Sequence, residues 1–239
     1  MSIVCENVHK VYESGGYHTV ALNGVSFHMD SGEFVCIMGP SGSGKSTLLN
    51  LIGALDRPSK GRILVDGVDI SELNDYALAE FRNQKIGFIF QTFNLIQRMN
   101  ALENVEVPLL VRHMSDQEIR RRARRILDWV GLKHRIKHTP DRLSGGEQQR
   151  VAIARTLVAE PKIILGDEPT GNIDTKTTHS IMKLLRYLRE KIGITMVIVT
   201  HNLEVASYAQ RIIHIRDGVI ERIEIQNGSS KSGDAKLRR

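Results

Sequence analysis

Cysteine is scarce and long apolar runs are missing. Only Cys5 and Cys36 occur, far apart and without metal-ligand spacing, which argues against a zinc framework or a disulfide-stapled scaffold. Cys36 lies inside Phe34-Val-Cys-Ile-Met38 and reads as a small core residue. No stretch approaches the roughly 18 apolar residues that span a bilayer, and no signal peptide opens the sequence. The longest apolar runs, such as that one and Ile163-Ile-Leu165, have strand length instead. The chain is therefore expected to be soluble, with any membrane role exercised through a partner. No internal repeat and no long heptad array interrupts it.

What is present suits one globular core: 239 residues, 41% of them apolar. Lys and Arg number 33 against 27 Asp and Glu, giving a formal charge of +6. That balance favours anionic partners but does not choose among nucleotides, lipid headgroups and nucleic acid. Val25, Phe27 and Met29 alternate with polar residues as in a half-exposed strand, and residues 33–38 read as a central buried strand. A helix is predicted over 45–55, then a strand from Arg62 that ends in the turn at Gly67. From about residue 71 to 160 helix formers dominate, with the strand-like Ile86-Gly-Phe-Ile-Phe90 interrupting. Ser115-Asp-Gln-Glu118 reads as a capping box opening a helix that Gly131 can close. A strand at 162–165, a helix at 175–191 presenting Ile181, Leu184, Leu185 and Leu188 on one face, and a strand at 195–200 follow. Asp217-Gly218 between apolar runs predicts a hairpin. Alternating strands and helices imply an α/β fold with a parallel central sheet. Polar, Gly/Ser/Lys-rich residues 226–239 are expected to form a disordered tail.

Gly39-Pro40-Ser41-Gly42-Ser43-Gly44-Lys45-Ser46, followed by Thr47, fits G-x-x-x-x-G-K-[ST] between a buried strand and a helix. Small residues let backbone N–H groups wrap a phosphate, and the helix N-terminus adds partial positive charge. Lys45 then holds the β- and γ-phosphates and the Ser46 hydroxyl ligates Mg²⁺. A merely flexible Gly/Ser turn needs neither the Lys nor the Ser. A second strand, Lys162-Ile-Ile-Leu-Gly-Asp-Glu168, ends in two carboxylates. Asp167 is placed to orient Mg²⁺, and Glu168 to polarise an attacking water. The plain alternative is a strand followed by an acidic turn.

Leu143-Ser-Gly-Gly-Glu-Gln-Gln-Arg150 opens another helix. Ser144 as N-cap with Glu147 three positions on is a capping box. That reading leaves Gly145 and Gly146 unexplained, since each costs a helix interior up to about 1 kcal/mol. Bare backbone at a helix start suits close approach of an anion, so Ser144–Glu147 reads as a second phosphate site as well.

Residues Leu143–Glu147 resemble the signature motif of ABC transporter ATPases, with Glu147 where many members carry Gln. The other motifs of that family follow in order. Gly39–Ser46 resembles Walker A, and Ile163–Asp167 with Glu168 resembles Walker B and its catalytic glutamate. Gln91 after Phe88-Ile-Phe90 matches the Q-loop, Gly171-Asn-Ile-Asp174 the D-loop, His201 the switch histidine, and Tyr12 the aromatic that stacks on adenine. Singly, Gln91, Tyr12 and His201 also read as solvated or packing residues; the ordered set carries them.

The resemblance implies a P-loop core with a mostly parallel sheet, an N-terminal antiparallel β-subdomain and an inserted α-helical subdomain near residues 92–160, all within one domain over 1–225. It implies ATP and Mg²⁺ as ligands, with the metal on Ser46, Gln91 and Asp167. Two chains would pair head to tail, each ATP lying on Walker A of one and on Ser144, Gly145, Gly146 and Glu147 of the other. Glu168 would polarise water, His201 contact the γ-phosphate, Gln91 link the metal to the membrane partner, and Asp174 cross the dimer interface. The implied setting is the cytoplasmic face of the cell membrane, beside an integral permease. Gln91-Thr-Phe-Asn-Leu-Ile96, Ala101-Leu-Glu-Asn-Val105 and Glu168-Pro-Thr-Gly-Asn-Ile-Asp174 resemble the lipoprotein-release and macrolide-export group (LolD/MacB-type). Gly166 and Gln97-Arg-Met-Asn100 depart from that group, which has Ala and a more apolar stretch there.

Arg120, Arg121, Arg122, Arg124 and Arg125 crowd one predicted helix. They read as a solvated face, or as a surface for headgroups or a permease loop. No nucleic-acid recognition motif accompanies them, so no nucleic-acid partner is expected. The rival readings are a soluble ABC ATPase without a permease, as in iron–sulfur assembly, another P-loop class, or a binding module whose ATPase has decayed. The absence of Asn-Lys-x-Asp and the presence of Lys45, Asp167, Glu168 and His201 oppose the last two.

Overall fold

The continuous apolar runs read from the sequence become strands buried on both faces. In the computed structural model, which describes residues 2–226, β3 (Phe34–Met38), β7 (Ile163–Asp167) and β8 (Thr195–Thr200) lie inside a six-stranded sheet. The order places β6 (Ile86–Phe90) at one edge, then β7, β8, β3, β9 (Arg211–Arg216) and β10 (Val219–Ile225). All pairs are parallel except β9 with β10, which form the hairpin predicted at Asp217-Gly218. Both turn residues have positive φ, 49° and 75°, as a tight two-residue hairpin turn needs.

Strand alternation divides the core into two layers. Phe34, Cys36, Met38, Ile164, Met196 and Ile198 face one side and meet the helical residues. Those come from α3 (Ala101–Glu106), α4 (Asp116–Trp129), α5 (Gly145–Leu157), α6 (Thr175–Ile192) and α7 (Leu203–Ala206). The apolar residues of 92–160 thus share the sheet's core. Val35, Ile37, Ile163, Leu165, Val197 and Val199 face the other side, against α1 (Lys45–Ile52), α2 (Asp75–Lys85) and a second, antiparallel sheet. That sheet runs β2 (Tyr17–Met29), β1 (Ile3–Ser14), β4 (Lys60–Val65), β5 (Val68–Asp69).

Several boundaries moved from expectation, each for a local reason. Helix α1 stops at Ile52, short of residue 55, because Gly53 caps it and Ala54 turns to φ 54°. A side chain at Gly53 would strike the Phe88 ring. The Ser115 side chain accepts from the Glu118 N–H as expected, but Glu118 turns outward to Arg121 and Arg122 instead of returning to the cap. The box is therefore half formed. Gly131, at φ 80°, closes α4 as predicted. Strand β2 extends back to Tyr17 along exposed residues with no alternation to read. Gln226 donates to the Gln210 carbonyl; the rest of the expected disordered tail lies outside the described residues. Among the described residues, no helix is long and apolar enough to cross a membrane.

Candidate nucleotide site

The glycine-rich loop joins β3 to α1 at the carboxyl end of the parallel sheet, where ligands of open α/β folds bind. A Cβ on Gly39 would collide with the Ile215 carbonyl, and one on Gly44 with the Ala21 carbonyl. Gly44 also holds φ 98° as the residue before α1, and no side chain caps that helix. The first-turn N–H groups of α1 are therefore without a capping side chain, as an anion-binding helix start needs.

A cavity of about 640 Å³ opens beside this loop. It is lined by Ser41, Gly42, Gly44, Lys45, Ser46 and Thr47, by Glu168 and His201, and by Thr19, Val20 and Ala21 of β2. Lys45 is largely buried and its ammonium donates to the Pro40 carbonyl at 2.7 Å. Ser43 is buried with its hydroxyl unpartnered, while its carbonyl accepts from the Gly218 N–H of the β9–β10 turn.

The acidic strand end meets the loop directly. Ser46 Oγ donates to Asp167 Oδ1 at 3.2 Å. Burial pushes the Asp167 carboxyl above its ordinary range and the neighbouring Glu168 charge adds to this, while Ser46 and Lys45 pull it back. A cation between Ser46 and Asp167 would relieve that burdened carboxylate, and the site fits Mg²⁺ in this respect. No cluster of three or more His, Cys, Asp or Glu competes for a metal among the described residues. A hydroxyl, one carboxylate and substrate oxygens match the few protein ligands Mg²⁺ takes beside phosphates.

Glu168 adopts φ 45°, a strained value for a residue with a side chain, costing on the order of 1 kcal/mol. Its N–H donates to the Val199 carbonyl and its carbonyl accepts from Gly171, which hold it there. Its Oε1 meets His201 Nδ1 at 2.7 Å. A carboxylate can only accept, so a neutral ring carries its proton on Nδ1 and presents Nε2 as the acceptor.

The remaining predicted site residues lie elsewhere. Tyr12 stands beside Thr47 outside the cavity lining; its hydroxyl donates to Asp56 at 3.0 Å and the Lys10 ammonium sits 4.9 Å from its ring centre. Gln91 also stays out of the cavity, bonded reciprocally to Asn172: its Nε2 donates to Oδ1 at 3.3 Å, and Asn172 Nδ2 donates to its carbonyl at 3.1 Å. Asp174 is exposed and caps α6, its carboxylate held below the usual range by the Thr177 hydroxyl and N–H. Ser144, Gly145, Gly146 and Glu147 line no part of the cavity. There the capping box is complete, Ser144 N–H to Glu147 Oε2 at 2.9 Å and Glu147 N–H to Ser144 Oγ at 3.3 Å, with Arg135 on the other carboxylate oxygen. Gly146 has a packing reason that sequence reasoning missed, since a Cβ there would run into Thr177 of α6. Thr19, Val20 and Ala21 were missed too, their exposed strand offering no pattern to read.

This loop, lysine, hydroxyl and carboxylate pair define a P-loop nucleoside triphosphatase. The profile of the family described as "ABC transporter" matches residues 22–171. An uncharacterized ABC transporter ATP-binding protein of Thermotoga maritima is 53% identical over 218 residues, covering 91% of this chain and 93% of the relative. A macrolide export ATP-binding/permease protein, MacB, of Rhodopirellula baltica is 46% identical over 89% of this chain but only 31% of its own length. Among solved structures, the dimeric post-hydrolysis state of the ATP-binding cassette MJ0796, bound to ADP and Pi, superposes with a TM-score of 0.87. It is 48% identical and covers 95% of this chain and 99% of that one. The chain belongs to the ABC transporter family and is an ATPase of that family.

Proposed function

We propose that two copies of this chain close head to tail on two ATP molecules and drive an integral membrane permease, in the manner of the lipoprotein-release and macrolide-export group. What carries the reading is the division of the site. Lys45, Ser46, Glu168 and His201 share one cavity, while Ser144–Glu147 present a second helix start outside it. The dimeric form of the related MJ0796 cassette supports pairing. The naming of MacB as a joined ATP-binding/permease protein supports the permease partner.

In this reading the loop N–H groups and Lys45 bind the β- and γ-phosphates, and Tyr12 offers adenine the ring face that Lys10 leaves free. Ser46 and Asp167 hold Mg²⁺, with Gln91 joining them on release from Asn172. Mg²⁺, when bound, neutralises charge on the β- and γ-phosphate oxygens. Glu168 orients and polarises the attacking water, and His201 positions Glu168 and contacts the γ-phosphate. Ser144, Gly145, Gly146 and Glu147 receive the partner chain's nucleotide, and Asp174 lies at the seam. Residues 1–225 form one cassette, whose insert at 92–160 faces the permease at the cytoplasmic surface of the membrane.

Lys45→Ala tests the phosphate-loop assignment. ATP binding should weaken and hydrolysis should be lost, with an unchanged circular dichroism spectrum; native turnover in this variant would sink it.

A further inference from the structure

We propose that Gln149 is a positioning residue for Glu168, tying the helix that begins at Ser144 to the chain's own water-activating carboxylate. The proposal rests on Glu168 having the role assigned above. Gln149 is 0% exposed, on the second turn of α5. Its Nε2 donates to the Pro169 carbonyl at 2.5 Å, and its Oε1 has no hydrogen-bond partner.

A fully buried amide with only one of its polar groups satisfied is costly, since an orphaned polar atom loses its hydration without return. Packing alone would be served as well by Met or Leu, so the amide must answer to something at Pro169. Pro169 directly follows Glu168, which holds a strained backbone at φ 45°. Val199 holds Glu168 from the neighbouring strand β8, and Gly171 holds it from its own turn. Gln149 reaches this turn from α5 by a hydrogen bond. The same helix starts at Ser144 and, through the Arg155 guanidinium, also holds the Phe93 and Asn94 carbonyls just past Gln91. Helices move as rigid elements, so this amide is a route by which a load on the Ser144 end reaches Pro169.

The test is steady-state ATP hydrolysis by the full chain carrying Gln149→Met, Glu168→Gln or both, with ATP affinity and melting temperature measured alongside. Methionine keeps the volume and removes the donor. Gln149→Met should lower kcat about tenfold or more, as small misplacements of a catalytic group do, with ATP affinity near native. In the Glu168→Gln background the same substitution should have little further effect, because the group it positions is already disabled. Gln149→Glu supplies a donor only while protonated. Its kcat should approach native at the acid end and fall away from native as pH rises, whereas Gln149→Met stays low throughout. This variant also decides the matter should Gln149→Met fail to fold. Native kcat in Gln149→Met, an equal fold-loss in both backgrounds, or a Gln149→Glu profile parallel to native would each overturn the proposal. Native hydrolysis by Glu168→Gln would instead overturn the role of Glu168.

Discussion

At the start of α1 no side chain caps the helix and Gly44 turns through φ 98°; at the start of α5, Ser144 and Glu147 cap each other reciprocally. The first arrangement is an uncommitted set of donors wrapped round a cavity, completed by Lys45 and faced by Glu168 and His201. The second is a finished helix end, with Arg135 fixing Glu147 from outside. Only the N–H groups of Gly145 and Gly146 remain there without an intrahelical partner. Their glycines also differ in origin. Gly39 is required by the Ile215 carbonyl of β9 and Gly44 by the Ala21 carbonyl in the cavity lining, while Gly146 is required by Thr177 of the neighbouring helix. In the proposed reading, the first half-site enfolds a phosphate and the second offers a capped helix start to one held by the partner chain.

The largest effect should come from the enfolding half. Glu168→Gln keeps size but removes charge and most basicity, and should slow hydrolysis by on the order of 10²-fold or more while sparing ATP binding. An unchanged rate would remove Glu168 from the chemistry. Next, the two glycines of the presenting half should separate. A Cβ on Gly145 meets Ile173 at 3.4 Å, an ordinary contact, whereas one on Gly146 collides with Thr177. Gly146→Ala should lower the melting temperature by several degrees, the overpacking cost being about 1–3 kcal/mol, and Gly145→Ala should leave it near native. Equal melting of the two variants would break the distinction.

The smallest effect on stability concerns Asp167. Its folded-state pKa is raised, so ionising it disfavours the fold; the penalty is absent below the ordinary carboxylate range and complete above the raised value. Asp167→Asn keeps an acceptor for Ser46 and removes the charge. At neutral pH it should raise the melting temperature by about 2 °C while abolishing metal-dependent hydrolysis, the gain shrinking as pH falls through the carboxylate range. Destabilisation at neutral pH would contradict the burial account.

The loop at Gly39–Ser46 was legible because its chemistry is local: eight consecutive residues between two elements that hydrophobic pattern alone identifies. The central strands were legible for the same reason, being buried on both faces. Contacts between distant segments were not. Nothing in the sequence pairs Glu168 with His201, Gln91 with Asn172 or Gln149 with Pro169; the parallel order β6-β7-β8 creates the first two by placing successive strand ends side by side. Strand β1 and the first part of β2 escaped notice because one of their faces is solvated and register shifts break their alternation. The arginines of α4 show the converse. As a sequence they form a basic block, yet in the fold Glu106, Glu118 and Glu160 lie against four of them.

The division of the site between two chains is tested most directly by size-exclusion chromatography of Glu168→Gln. With ATP it should elute as a dimer, and with ADP as a monomer. Adding Ser144→Arg places a long side chain where the partner's nucleotide would sit. The doubly substituted chain should elute as a monomer with ATP while still binding the nucleotide. An ATP-dependent dimer that survives Ser144→Arg would contradict the account.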